Sequence, residues 1–173
     1  RPVGETDEQR KAAILKQCGE GFEVSETAHW LIVHKADPKW VANSASLLER
    51  THDLYFDQFK RAGLEPQPLG QRLVCVLIGR QEDFVKYLET LPKPAGRPPR
   101  AEPPAADQAP GARRAPKGLG SYSGQSNRIQ LCDIHSIPRN PARPVDAAKL
   151  DRENVVRISH EAAHQLSFNT GIL

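Results

Sequence analysis

Apolar positions recur along this chain at two periods, and the alternation between them predicts its elements. Thr6 through Cys18 predicts a short helix whose apolar part is Ala12, Ala13, Ile14 and Leu15, stopped by Gly19 and Gly21. Phe22 to Ser25 alternates and predicts a strand, and His29 to His34 predicts a second, joined to it as a hairpin. Two faces follow in that second strand, His29, Leu31 and Val33 on one and Trp30, Ile32 and His34 on the other. Asp37 and Pro38 then open a long helix. Val41, Ala45, Leu48, Tyr55, Phe59 and Ala62 form its stripe, and Gly63 ends it.

Leu73 to Ile78 is an unbroken apolar run between turn-like flanks, as expected of a strand buried on both faces. Glu82 to Leu91 predicts a shorter amphipathic helix ending at Pro92. Gly120 to Gly124 predicts a short strand or turn. Asn127 to Asp133 alternates and fits an edge or near-edge strand. The last element is a helix, expected to be capped by Asp151 and to end at Asn169, Thr170 and Gly171. Its expected inward face is Val155, Ser159, Ala162, Ala163 and Leu166.

Composition changes this picture in one place. Between Pro92 and Lys117 fall eight of the fifteen prolines and a net charge of +4, against +3 for the whole chain. Such a segment has too little apolar bulk to offset its ordering entropy, and it is expected to be a flexible basic insertion. The positive balance therefore belongs to one segment and not to a folded face, which argues against a nucleic-acid partner. No apolar run approaches the ~20 residues of a membrane span. The three cysteines show no C-x-x-C spacing, and Cys75, inside an apolar run, is expected to be a buried thiol. There is no Met and no visible secretory signal, so a mature form or fragment is expected, compatible with an exported protein.

The residues that carry chemistry lie in the last helix. His160 and His164 are four apart, so their side chains stand one above the other on one helical face and reach a common ion. Glu161 follows the first histidine, and the small Ala162 and Ala163 leave the motif uncrowded. This is the H-E-x-x-H pattern of zinc metallopeptidases. His160 and His164 are its expected Zn²⁺ ligands, and Glu161 the general base that takes a proton from bound water. The strand residues Asn127, Arg128, Ile129, Gln130 and Leu131 are expected to rim the cleft and pair with a peptide or protein substrate by strand addition. His52 and His135 are expected to be a partner-satisfied helix residue and a loop residue rather than ligands.

The run from His160 to Gly171, with Gly120, Tyr122 and Asn127 to Asp133 upstream, resembles a bacterial family of unknown function. That family consists of gluzincin-like metallopeptidases with a signature close to H-E-x-x-H-Q-L-x-F-N-T-G. The resemblance implies an α+β fold: a zincin-like N-terminal subdomain over residues 22–173, after a polar helical lead-in at 1–21. Its sheet would be mixed and mostly antiparallel, packed on a long helix and on the H-E-x-x-H helix. It implies zinc-dependent peptide-bond hydrolysis and a third ligand, a glutamate on a following helix, with no counterpart before Leu173. The chain is accordingly expected to be an incomplete half of a catalytic domain, inactive alone. Two alternatives stay open: a non-catalytic zincin-like binding or assembly module, and an interaction protein acting through the Pro-rich basic segment.

Overall fold

The computed structural model describes residues 6–91, 119–139 and 145–172. The Pro-rich segment expected to be flexible lies outside them. Helix α1 (Asp7–Cys18) leads into strands β1 (Glu23–Glu26) and β2 (Trp30–Lys35), then helix α2 (Pro38–Arg61) and strand β3 (Leu73–Ile78). Helix α3 (Gln81–Thr90), strands β4 (Gly120–Ser123) and β5 (Arg128–Cys132), and helix α4 (Ala147–Asn169) complete the order. A 3₁₀ turn at Ile134–Ser136 precedes α4. No helix among the described residues is long and apolar enough to cross a membrane.

The strands form one mixed sheet in the order β1-β2-β3-β5-β4. The α+β class and the mixed sheet match expectation, but the pairings are evenly divided rather than mostly antiparallel. β3 runs parallel to β2 and to β5, and the outer pairings β1–β2 and β4–β5 are antiparallel. The parallel centre follows from α2, which connects β2 to β3 across the sheet.

Helices cover both faces. On one, α2 supplies Val41, Leu48 and Tyr55 and α4 supplies Ile158, Ala162 and Leu166, packed over Trp30, Ile32, Cys75, Leu77, Ile129 and Leu131. On the other, Ile14 of α1 and Phe84 and Tyr87 of α3 pack over Leu31, Val33, Val74, Val76 and Ile78. The unbroken apolar run of β3 is thus buried on both faces at all six positions. Residues 7–18, expected as a lead-in, contribute to the second of these cores through Ile14. Three cysteines are free thiols, and burial pushes the Cys18 thiol up to about 11 and that of Cys75 further. Both are therefore poor nucleophiles at neutral pH.

Local chemistry sets the helix ends. Thr6 forms a capping box with Gln9, and Asp37 accepts from the N–H groups of Lys39 and Trp40. Helix α4 starts at Asp146, which accepts from Ala148 N–H at 3.1 Å, and not at Asp151. The earlier cap prevails because the extra turn brings Leu150 into the core, while Asp151 is exposed and bonds His135 Nε2 at 2.9 Å. Its inward face also differs from expectation. Leu150, Asn154, Ile158, Ala162 and Leu166 are buried at four-residue intervals, while Val155 is 48% exposed. Asn154 fills an inward position because Asp133 Oδ1 accepts its amide at 3.0 Å.

A second polar residue lies deeper. Gln165 has no exposed surface. Its Nε2 donates to Val74 O at 3.1 Å and to Asn127 O at 2.9 Å, and its Oε1 accepts Trp30 Nε1–H at 3.2 Å. One side chain thus ties α4 to β2, to β3 and to the turn before β5. Replacing Gln165 by Ala removes the partner of the buried Trp30 indole N–H and of the Val74 and Asn127 carbonyls. Urea denaturation is expected to show a loss of about 2–4 kcal/mol.

Candidate metal site on the terminal helix

The faces of α4 divide its residues by task. Ile158, Ala162 and Leu166 enter the core. Toward α2, Ser159 lies 3.5 Å from Thr51 Oγ1, and Ser167 and Thr170 lie 3.2 and 3.0 Å from the Tyr55 hydroxyl. Toward β4, Glu161 accepts the backbone N–H of Tyr122, and Phe168 stands with its ring 6.0 Å from that of Tyr122. His160 and His164 occupy the remaining, outward face and are exposed.

The two histidines come together as the motif predicts. Their Nε2 atoms are 3.1 Å apart and their rings meet edge to face. In neutral imidazoles this contact needs one Nε2–H donor and one Nε2 acceptor. Two nitrogens bound to one tetrahedral zinc at about 2.0–2.1 Å would stand about 3.3 Å apart. The pair therefore already holds close to ligand spacing, and a shift of one tautomer to Nδ1–H frees both lone pairs. Among the described residues no group of three or more His, Cys, Asp or Glu side chains could hold a metal ion. The donors present fit two positions of a zinc site and leave others to water and to a ligand from outside these residues.

Glu161 lies on a flank and not between the histidines. Its Oε2 accepts Tyr122 N–H at 2.6 Å, a short charge-assisted bond. The half-buried Arg157, one turn earlier, sits on the same flank. Burial pulls its guanidinium below the ordinary value, opposed by the negative charges of Glu153, Glu161 and Asp133. β4 is hemmed in at Gly120 from two sides: a Cβ added there would stand 2.3 Å from Cδ2 of Leu131, its partner on β5, and 2.8 Å from Nη2 of Arg157 on α4.

The expected substrate-binding strand needs correction. β5 pairs with β3 on one side and with β4 on the other, and Ile129, Gln130 and Leu131 are buried. Its backbone has no free edge for an incoming peptide. Arg128 donates to Gln17 Oε1 at 2.6 Å, and Gln130 donates to Ser121 Oγ at 3.1 Å, so both serve the scaffold. Asn127, in the left-handed region at φ 53°, exchanges amide hydrogen bonds of 2.8 Å with Asn169 and accepts from the Tyr122 hydroxyl at 3.0 Å. The outermost strand on this side is β4, which alternation in so short a segment could not single out.

His52 has the side-chain partners expected of it, and His135 lies in the 3₁₀ turn before α4. His135 pairs with Asp151, and His52 stacks on His29 with ring centroids 3.5 Å apart and lies 3.1 Å from Asp53 Oδ1. His29 itself is held by Glu49 at 2.6 Å.

This chain matches no protein-family model, no curated protein and no solved structure. The reading of the site therefore rests on its own geometry and on its signature.

Gly120→Ala tests this tight packing of β4 against Leu131 and Arg157. The added methyl is expected to cost about 1–3 kcal/mol in denaturant unfolding, because Leu131 and Arg157 must both give way.

Proposed function

We propose that this chain carries the zinc-binding helix and edge strand of a metallopeptidase that hydrolyses peptide bonds. The supporting observation is the convergence of His160 Nε2 and His164 Nε2 to 3.1 Å on an exposed helical face, with Glu161 on the flank beside an edge strand. His160 and His164 hold the metal through Nε2. The resemblance of the signature implies a glutamate as the third ligand, which no described residue supplies. Zinc, when bound, makes a coordinated water acidic enough to ionise near neutral pH and polarises the scissile carbonyl.

The chain's own residues supply the rest. Glu161, a carboxylate one residue from a ligand, accepts a proton from the attacking water and returns it to the leaving amine. The exposed histidine face leaves the site open to a substrate. An extended peptide reaches it along the outer edge of β4, where backbone hydrogen bonds hold the main chain and leave side chains to select sequence. Gln165 and Asn169 fix α4 against the sheet, so the histidines keep their spacing without direct support from other side chains in the core.

Zinc titration by calorimetry tests the ligands. His160→Ala and His164→Ala are each expected to weaken binding at least tenfold, the order of magnitude seen when a metal site loses a contact. In a longer form that turns over peptides, Glu161→Gln is expected to retain zinc and lower turnover by about 10²–10⁴. Unchanged turnover in that variant would instead favour a binding module.

A further inference from the structure

The hydrolytic reading gives Glu161 a task at bound water, yet its carboxylate is engaged elsewhere. Glu161 Oε2 accepts the Tyr122 N–H at 2.6 Å. That donor belongs to the outermost strand of the sheet among the described residues. Tyr122 stands opposite Ile129 in an antiparallel pair, and because its N–H goes to Glu161, it points away from β5. It is therefore one of the main-chain donors that an added strand would use. The strand is also tightly seated at Gly120, two residues away, where an added Cβ would meet Leu131 of β5 at 2.3 Å and the Arg157 guanidinium of α4 at 2.8 Å.

We propose that Glu161 gates the β4 edge. In the resting protein its carboxylate caps the Tyr122 N–H, which the main-chain carbonyl of an extended peptide takes when it adds to β4. The arriving strand displaces Glu161 and frees its carboxylate for the attacking water. This rests on the hydrolytic reading, because it gives the freed carboxylate its use. Two consequences follow from the same contact. Before substrate arrives, the edge carries a negative charge at an otherwise pairing-competent donor, a device that discourages sheet-to-sheet association. When substrate arrives, base release and main-chain pairing occur at one atom, so a ligand that cannot offer a carbonyl there leaves Glu161 capped.

The exchange of one hydrogen bond for another sets the expected size. A bond to a charged acceptor that must be broken before the peptide's bond forms lowers affinity by about tenfold or more. The test uses the 173-residue chain, its Glu161→Ala and Glu161→Gln variants, and a blocked octapeptide of alternating valine and lysine. Amide hydrogen exchange is read at Tyr122 and at its β4 neighbours Ser121 and Ser123. In Glu161→Ala the Tyr122 amide is expected to exchange at least about tenfold faster, with Ser121 and Ser123 unchanged. Addition of the octapeptide restores protection at Tyr122, and the variant binds it at least about tenfold more tightly than the parent. Glu161→Gln, whose amide oxygen still accepts, is expected to fall between the two. Equal Tyr122 exchange in parent and Glu161→Ala overturns the proposal. So does faster exchange throughout β4, which would make Glu161 a brace of the strand, and so does equal or undetectable peptide binding by the two proteins. Zinc binding measured without peptide separates the two readings. Its absence with the Tyr122 result intact sinks hydrolysis alone, and its presence with unchanged Tyr122 exchange sinks the gate alone.

Discussion

The site depends first on a buried amide. Gln165 sits at the junction of α4 with the sheet, with donors and acceptor matched to Trp30, Val74 and Asn127. An apolar side chain there would pack, but would leave the helix free to rotate or slide by a fraction of a turn. A glutamine with three fixed partners permits one rotation and one height, because each partner lies on a different part of the sheet. A rotation of the helix by one residue is 100°, enough to carry the histidines from solvent toward a neighbour. The core polar residue thus fixes the outward face through partners on the sheet and not through the histidines themselves.

The residues after the motif extend that fixing. Asn169 pairs with Asn127 and donates to Gln165 O at 2.7 Å. Thr170 donates to Leu166 O and meets the Tyr55 hydroxyl, and its own carbonyl accepts Gln67 N–H. Gly171, at φ 74°, turns the chain where a residue with a Cβ would be strained. The run from Gln165 to Gly171 therefore has a mechanical reading, in which it anchors the helix that presents His160 and His164. On the proposed reading the signature combines two tasks, with the chemistry assigned to His160, Glu161 and His164 and the positioning to its last seven residues.

Much of the fold was legible because its signals are periodic. The continuous run of β3, the alternation at β1 and the stripe of α2 each correspond to one element, with a proline, glycine or capping residue close to its ends. The candidate ligands were equally legible, since an i, i+4 pair on a helix is a local geometric fact. Three features were not. The start of α4 was misplaced because Asp146 and Asp151 are both competent caps, and only the tertiary burial of Leu150 decides between them. The inward face was misread because Asn154 and Gln165 are polar in sequence and become core residues only through partners distant in the chain. The substrate-pairing strand was misplaced because strand order in a sheet is set by crossovers: β5, near the edge as expected, passes inside β4 although it follows it in sequence.

The helix also explains why its carboxylate and its edge strand are neighbours. With 100° per residue, Glu161 must project about a quarter turn from His160. Once Ala162 and Leu166 face the sheet and His160 faces solvent, two flanks remain. Ser159 and Ser167 occupy the α2 flank, so Glu161 falls on the other, where β4 lies. Nothing about the metal is needed for this result; it follows from the spacing of the motif and from which residues enter the core. On the proposed reading, the placement that sets Glu161 beside the histidines is the same one that sets its carboxylate against the β4 backbone.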